Sequence, residues 1–570
     1  MSVRLSSNNN DKPSLRLMAA GVAAACAALG SPAQALEIDV GNPDISVRWD
    51  NTFRGNLATR VESRDSKIGN SAISDEGTYS FDKNDLTAAR LDILSELDVV
   101  WRKRFGARLS VAGWYDAAYD GDSKSNPNPP LTNIPSYINK KYSDYTSRLY
   151  EGPSGEILDA FVFAGFDLGP APTNVKLGRH SLYWGESLFL GGNLHGIAYA
   201  QNPLDLQKGF ATPGVEAKEL FRPLNQLSLS SQITDTVSVA GQYMFEWESF
   251  RYPEGGTYLG PVDFAFNGPH RQFLAAPPLG FVMRGDPSEP NQSGEFGLAA
   301  RWSPAWLDGT LGAYYRNFAD KLPQTFITQA IPNNSRYNLI YADDIDLYGL
   351  SFAKSIGGVS VGAELSYRRN TPLNSQVLGA AVGLPAEGET KGPRGDTYHA
   401  LINGIGVIAK TPVFDAATWA AELTWSRWDK VRSGANLFNA EGFAPCNANA
   451  TRPRPLDKGD GCTTKSFVGF AAAFTPTWYQ VFPGVDLQAP ITYAIGLSGN
   501  AATIFGGNED NGNYSIGLGA DVFQKYRFDL KYIDFMGQYR DNGTAVTSQN
   551  GFTTLLKDRG FISLTAKVTF

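Results

Sequence analysis

The chain has 570 residues, a formal net charge of −7 and 19% charged residues, and it carries 59 glycines, 25 tyrosines, 33 phenylalanines and 11 tryptophans. Without a basic excess there is no electrostatic footprint for nucleic acid, and past the N-terminus no stretch approaches the roughly 18 consecutive apolar residues of a spanning helix. A mean hydropathy of −0.25 leaves a membrane barrel open, because only alternate strand residues of a barrel meet lipid while aromatic residues gather at its two interfaces.

At the N-terminus Arg4, Lys12 and Arg16 lead into an apolar, alanine-rich run over residues 17–29 and then Ala33-Gln34-Ala35, a small-residue cleavage site. Residues 1–35 are read as a signal peptide and 36–570 as a single barrel domain, because the run is short for an anchor and its composition suits export. Removing that segment takes away three bases and Asp11, so the net charge moves from −7 to −9. Period-two segments then recur along the chain. In the first, Ile45, Val47, Trp49, Phe53 and Leu57 face one side, and Ser46, Arg48, Asp50, Thr52 and Arg54 the other.

Strands near 88–101 and 107–119 are joined by the short link 102–106, and the long polar stretch 120–154 follows. The same alternation continues. Short links fall near 168–172, 232–236, 303–308, 355–357, 409–415, 476–489 and 523–524, and long ones near 181–223, 249–293, 321–344, 370–395, 429–464 and 536–558, with a medium one at 500–512. Short turns at one end and long loops at the other predict an all-β fold: one transmembrane antiparallel β-barrel of about 18 strands, 16 being the lower count, with short periplasmic turns, long external loops and one inward-folding loop. Its location is then the cell outer membrane, in contact with lipid and lipopolysaccharide.

The chain ends on Ile562, Leu564, Ala566, Val568 and Phe570 alternating with polar residues. That pattern resembles the terminal signal read by barrel-assembly machinery, which makes that machinery an expected partner. Cys26 lies in the leader, so Cys446 and Cys462 remain as an expected disulfide closing an external loop. The four histidines, 180, 195, 270 and 399, have no ligand spacing, so neither a metal nor another cofactor is expected.

The third external loop, 181–223, is too long for a hairpin turn and dense in glycine, proline and charge. A pore constriction needs a few charges of both signs at fixed positions. The candidates here are Arg179, His180, Trp184, Glu186, Asp205, Glu216, Lys218 and Arg222. The plainer reading, that such charges fasten the loop to the wall, stays open beside it. On the strands, period two turns Arg48, Arg54, Glu96, Asp98, Glu246, Glu364, Arg368 and Glu422 toward the lumen, since a charge on the lipid face costs about 2–4 kcal/mol near the midplane.

Gly178-Arg179, Trp184-Gly185-Glu186-Ser187, Asn202-Pro203, Pro213-Gly214-Val215-Glu216, the segments 344–352 and 362–368, and Pro372-Leu373 occur in this order. Through them the chain resembles a proteobacterial domain-of-unknown-function family of porin-like outer-membrane barrels, over nearly its whole length. The resemblance implies passage of small hydrophobic or aromatic compounds. It also implies a periplasmic carrier protein and an inner-membrane permease as partners. His180 departs from the family pattern, where an amide is expected.

Enzyme readings fail on motif. His180 with Glu186, or His399 near Asp396, lack a nucleophile elbow, because Gly185-Glu186-Ser187-Leu188-Phe189 has no second glycine. Gly404-Ile405-Gly406-Val407-Ile408-Ala409 lies in a strand pattern soon followed by Pro412, so no helix opens there to hold a pyrophosphate. The expected function is a non-enzymatic, porin-like channel. A structural or adhesin-type barrel is the alternative, and an outer-membrane hydrolase a more distant one.

Overall fold

The computed structural model describes residues 36–130, 134–212, 217–273, 280–327, 336–375, 392–449 and 453–570. The leader assigned to residues 1–35 lies outside them.

Alternation of apolar and polar residues builds the wall. The first seven strands are β1 (Ile45–Arg60), β2 (Leu86–Trp101), β3 (Phe105–Asp116), β4 (Ser154–Leu168), β5 (Ala171–His180), β6 (Leu224–Gln232) and β7 (Val237–Met244). Next come β8 (Phe296–Trp302), β9 (Gly309–Phe318), β10 (Ile345–Ile356), β11 (Val359–Pro372), β12 (Arg394–Ile408) and β13 (Ala416–Ser433). The last five are β14 (Ser466–Phe482), β15 (Val485–Gln488 continued by Ile491–Ser498), β16 (Gly512–Val522), β17 (Tyr526–Met536) and β18 (Phe561–Thr569). Each pairs antiparallel with its neighbour, and β18 closes on β1 from Phe561↔Arg60 to Thr569↔Thr52. The result is a closed barrel of 18 strands. Where β18 ends, Phe570 exchanges two backbone hydrogen bonds with Asn51, and Leu36–Ile38 pairs with β1 beyond it.

One expected link is displaced. The sequence predicts a short link near 476–489. Instead β14 runs on to Phe482 and the chain reverses at residues 483–484. Pro476 stays in register opposite Ala417, and its carbonyl accepts from Ala489 N at 3.0 Å. The interruption in the wall falls one strand later, at Ala489-Pro490, where the missing proline N–H breaks the ladder.

Outward-facing residues form an apolar band that includes Leu298, Leu350, Val407, Leu518 and Leu564, with Leu518 64% exposed. Trp101, Phe105, Trp302, Trp306, Phe482 and Phe523 ring the short-turn end, whereas Tyr243, Tyr348 and Tyr398 sit at the long-loop end. A closed barrel leaves no strand edge, so the backbone polar groups of the wall pair with neighbouring strands and not with water. With two aromatic girdles around an apolar band, this is an outer-membrane barrel. Among the described residues no helix is long and apolar enough to cross a membrane.

The long loops do not stand away from the barrel. The described parts of loop 181–223 fold into the lumen, and other loops pack upon them. Ile68, Trp184, Ile197, Tyr199, Phe250, Tyr252, Phe264, Leu322, Ile504 and Leu555 form one buried apolar cluster at the external end. Each such side chain contributes on the order of 1.5–3 kcal/mol on burial, so this end is a packed core. Cys446 and Cys462 are joined in a disulfide, beside a small cluster of Leu373, Phe438, Ala440 and Ala502.

Candidate functional site

Loop 181–223 crosses the lumen from β5 to the far wall, where its backbone meets inward-facing carboxylates. Glu364 on β11 accepts hydrogen bonds from the backbone N–H groups of Glu186, of Ser187 at 3.1 Å and of Ile197 at 2.6 Å. Glu422 on β13 accepts from Leu188 N at 2.8 Å and Phe189 N at 3.2 Å. Asn403 on β12, between them, donates to the Glu186 carbonyl at 2.6 Å and to Glu422 at 3.2 Å. Such an approach leaves no room for a side chain: a Cβ at Gly185 or Gly192 would strike the Glu364 or Glu422 carboxylate, and Gly185 has φ +101°.

The loop carbonyls are held by cations. Arg368 on β11 donates to the Gly196 carbonyl at 3.0 Å and lies over the Tyr199 ring at 4.1 Å. Arg316 on β9 donates to the carbonyls of Ile197 and Tyr199 at 3.0 and 2.6 Å. Charge-assisted bonds of this kind are the strong ones in a protein interior.

A histidine relay completes the clamp. His195 Nε2 lies 2.7 Å from the Gly506 carbonyl, His195 Nδ1 lies 2.9 Å from His399 Nδ1, and His399 Nε2 lies 2.8 Å from Thr397 Oγ1. A carbonyl only accepts, so His195 donates there and takes the proton of His399 on its other nitrogen; Thr397 then donates to His399. Burial, with the Arg368 charge, holds the His195 pKa down at about 4, which keeps the ring neutral.

The wall opposite is not filled. Leu182, Tyr183 and Trp184 roof a cavity of about 270 Å³ over β5 to β8. Trp184 is fixed by Gln201, whose side chain accepts from its backbone N–H at 2.8 Å, and its ring packs against Gly297, where a Cβ would come within 2.7 Å. Below lies a polar vestibule of about 450 Å³ lined by Arg527, Lys531 and Lys567. At the external end an apolar pocket of about 90 Å³ is lined by Val262, Phe264, Phe266, Leu339, Phe505 and Phe552. Tyr252, Phe266 and Phe505 stack there with centroids 4.7–5.8 Å apart. Phe266 and Phe505 adopt positive φ, +65° and +54°, a strained state held in place by the packing.

The remaining expected residues have other places. Arg179 does not face the lumen: it shares the parity of Leu177, pairs across the sheet with Ala160, and binds Glu246 and Glu248 at 2.7 and 2.9 Å. Glu246 therefore belongs to that rim cluster and not to the lumen wall, and Arg222 joins it through Glu248. Asp205 caps the helix Leu206–Ala211 and pairs with Arg251 at 3.1 Å. His180 is inward but buried, against Ser228 at 2.7 Å and the Gly178 carbonyl at 3.0 Å. Glu186 accepts from Ser351 at 3.3 Å.

Arg54 binds Glu219 at 2.7 Å, while Glu96 and Asp98 share Arg108. Arg48 pairs with Asp50 at the periplasmic end. Glu216 and the side chain of Lys218 lie outside the described residues. Sequence reading passed over Asn403, Arg316, His195, Lys176 and Arg301; the strand parity that selected Glu364 also marks Asn403, Arg316, Lys176 and Arg301 as inward.

A family model described as protein of unknown function (DUF1302) matches residues 16–570. No curated protein matches the chain in sequence. Among solved structures it is similar to OccAB4 of Acinetobacter baumannii, at 10% identity and a TM-score of 0.40, covering 95% of this chain and 100% of that one. It is similar also to OccK9 (OpdG) of Pseudomonas aeruginosa, at 10% identity and a TM-score of 0.39, covering 92% and 98%. The outer membrane channel DcaP of Acinetobacter baumannii gives 11% identity and a TM-score of 0.36, covering 94% and 100%.

Proposed function

The chain belongs to the DUF1302 family, and we propose that it is an outer-membrane channel for passive passage of small hydrophobic or aromatic compounds. The observation that carries this reading is the asymmetry of the inward loop. The loop is fastened to β9 through β13 by Glu364, Glu422, Arg368 and Arg316 and to β1, β4 and β7 by Glu219, Lys208 and Gln201, while a cavity remains between its start and the walls of β5 to β8. A loop held this way narrows a lumen to one lane instead of filling it at random. The preference for apolar solutes is supported by the aromatic pocket at the external end, where Phe264, Phe266, Phe505 and Phe552 gather.

The test is uptake by proteoliposomes bearing the refolded protein, wild type against a variant lacking residues 185–220. The reading expects wild type to admit benzyl alcohol faster than a sugar of similar size, and the deletion to admit both at like rates. Equal rates for both solutes in the wild type would contradict the solute preference. No uptake at all would contradict the channel.

A further inference from the structure

The cavity beneath loop 181–223 has a distinct chemistry. Its floor is built from inward residues of four adjacent strands. Asn174 and Lys176 lie on β5, opposite Ser230 and Ser228 on β6, and Ser230 faces Ala240 on β7. Ala240 and Ser238 face Ala299 and Arg301 on β8. The middle of the floor is thus small and hydroxyl-bearing, and the two ends carry long cations. Asn174, Ser230, Ala240 and Ala299 lie on one line across the four strands, and Lys176 and Arg301 stand two residues to either side of it on oppositely directed strands. Three spacings of about 4.8 Å across and four residues along the strands put their Cα atoms roughly 20 Å apart, with the two long side chains lining the cavity from its opposite ends. Tyr183 and Trp184 form the roof.

Both cations are exposed to the lumen. Lys176 lies 5.2 Å from the Phe161 ring, and Arg301 donates to the Tyr314 hydroxyl at 3.4 Å. Among the described residues no carboxylate lines the cavity. Two acids lie within reach of these charges and are bonded elsewhere: Glu186 near Arg301 takes a hydrogen bond from Ser351, and Asp159 near Lys176 pairs with Arg108 at 3.3 Å. Two cations, the hydroxyls of Ser230 and Ser238 and an aromatic roof form a place for an anion with a flat apolar body. Ser228 is spent on His180, whose Nδ1 donates to the Gly178 carbonyl and whose Nε2 accepts from Ser228. A guanidinium fork matches a carboxylate, and Ser230 and Ser238 can donate to its outer oxygens. At about 270 Å³ the space falls below the roughly 300–1,000 Å³ of sites for drug-sized ligands, which points to a single ring.

We propose that the space between Lys176 and Arg301, under Tyr183 and Trp184, is a binding site for a small ring-bearing carboxylate of the benzoate class. The proposal deepens the channel reading by naming a solute class for the space beside the loop, and it rests on that reading only for passage of the bound solute across the membrane.

Equilibrium dialysis of labelled benzoate, benzamide and benzylamine against the refolded full-length protein tests it, since binding needs no flux. Benzoate is expected to bind at least tenfold more tightly than benzamide, and benzylamine more weakly than either. Lys176→Gln and Arg301→Gln are each expected to weaken benzoate three- to tenfold, and the double variant to bring it to the level of benzamide. Like affinities for benzoate and benzamide in the wild type would overturn the site without recourse to any variant. So would a double variant that refolds and binds benzoate as before. Benzoate retention in a protein without conductance contradicts the channel and leaves the site standing; conductance without charge preference does the reverse.

Discussion

Removing the Glu364 carboxylate should free the inward loop. That side chain is 5% exposed and accepts three backbone N–H groups, from Glu186, Ser187 and Ile197. Hydrogen bonds to a charged group contribute roughly 1.5–3 kcal/mol each, but a released loop regains water at part of its N–H groups, so a net loss of about 4 kcal/mol is the working figure for Glu364→Ala. At about 1.4 kcal/mol per factor of ten, the released fraction rises on the order of a thousandfold.

Glu364→Gln is milder. An amide oxygen in place of Oε1 keeps two of the bonds, while its NH₂ then meets the Ile197 N–H, formerly satisfied at 2.6 Å. Single-channel recording separates the cases: the alanine variant should show a larger mean conductance with frequent steps, and the glutamine variant an intermediate pattern. Recordings of Glu364→Ala that match the wild type in amplitude and step frequency would refute the clamp.

Three further outcomes are expected. Gly297→Ala brings a Cβ within 2.7 Å of the Trp184 ring and 3.0 Å of Arg316, an overpacking of about 1–3 kcal/mol. Thermal unfolding should shift down with altered tryptophan fluorescence, and an unchanged melting temperature would count against the packing described. Burial pushes Glu76 and Glu254 up to about 8 from an ordinary 4.5. Between those values the folded external loops therefore hold more protons than unfolded ones, and their stability falls as pH rises through this window and then levels off. Hydrogen exchange in 75–79 and 250–268 should quicken from pH 5 to pH 9 beyond the chemical rate; a flat profile would contradict it. Reducing Cys446–Cys462 removes about 3 kcal/mol of loop entropy for a loop of some 15 residues. Proteolysis within 434–465 should rise while the heat-modified gel shift of the barrel stays the same, and loss of the barrel in parallel would show the disulfide to be structural for the wall.

The wall was readable in the sequence because its rule is local. Period two fixes which side chains face lipid, and alternating link lengths fix the number and direction of strands. It fails where the backbone departs from the rule. The expected link at 476–489 begins at Pro476, which the strand passes over, since only one N–H is lost there and the neighbouring ladder takes up its carbonyl. Arg179 was assigned to the constriction by its nearness to the loop, although counting parity from Leu177 would have turned it outward.

The clamp was half visible. Glu364, Arg368 and Glu422 stood out as inward charges, but their partners are backbone N–H and C=O groups, which have no residue signature. Gly185 and Gly192 were the available hint, because a glycine is needed where a backbone nears a wall. The pairing of His195 with His399 spans 204 residues and depends on the closed barrel, so no spacing in the sequence encodes it.

The central claim is that this barrel conducts solute past a fastened loop. Planar-bilayer recording of the purified, refolded full-length protein tests it most directly. The account predicts discrete, small conductance steps in the wild type. A protein with an intact β-sheet spectrum and heat-modified gel shift, yet with no conductance over many insertions, would contradict it.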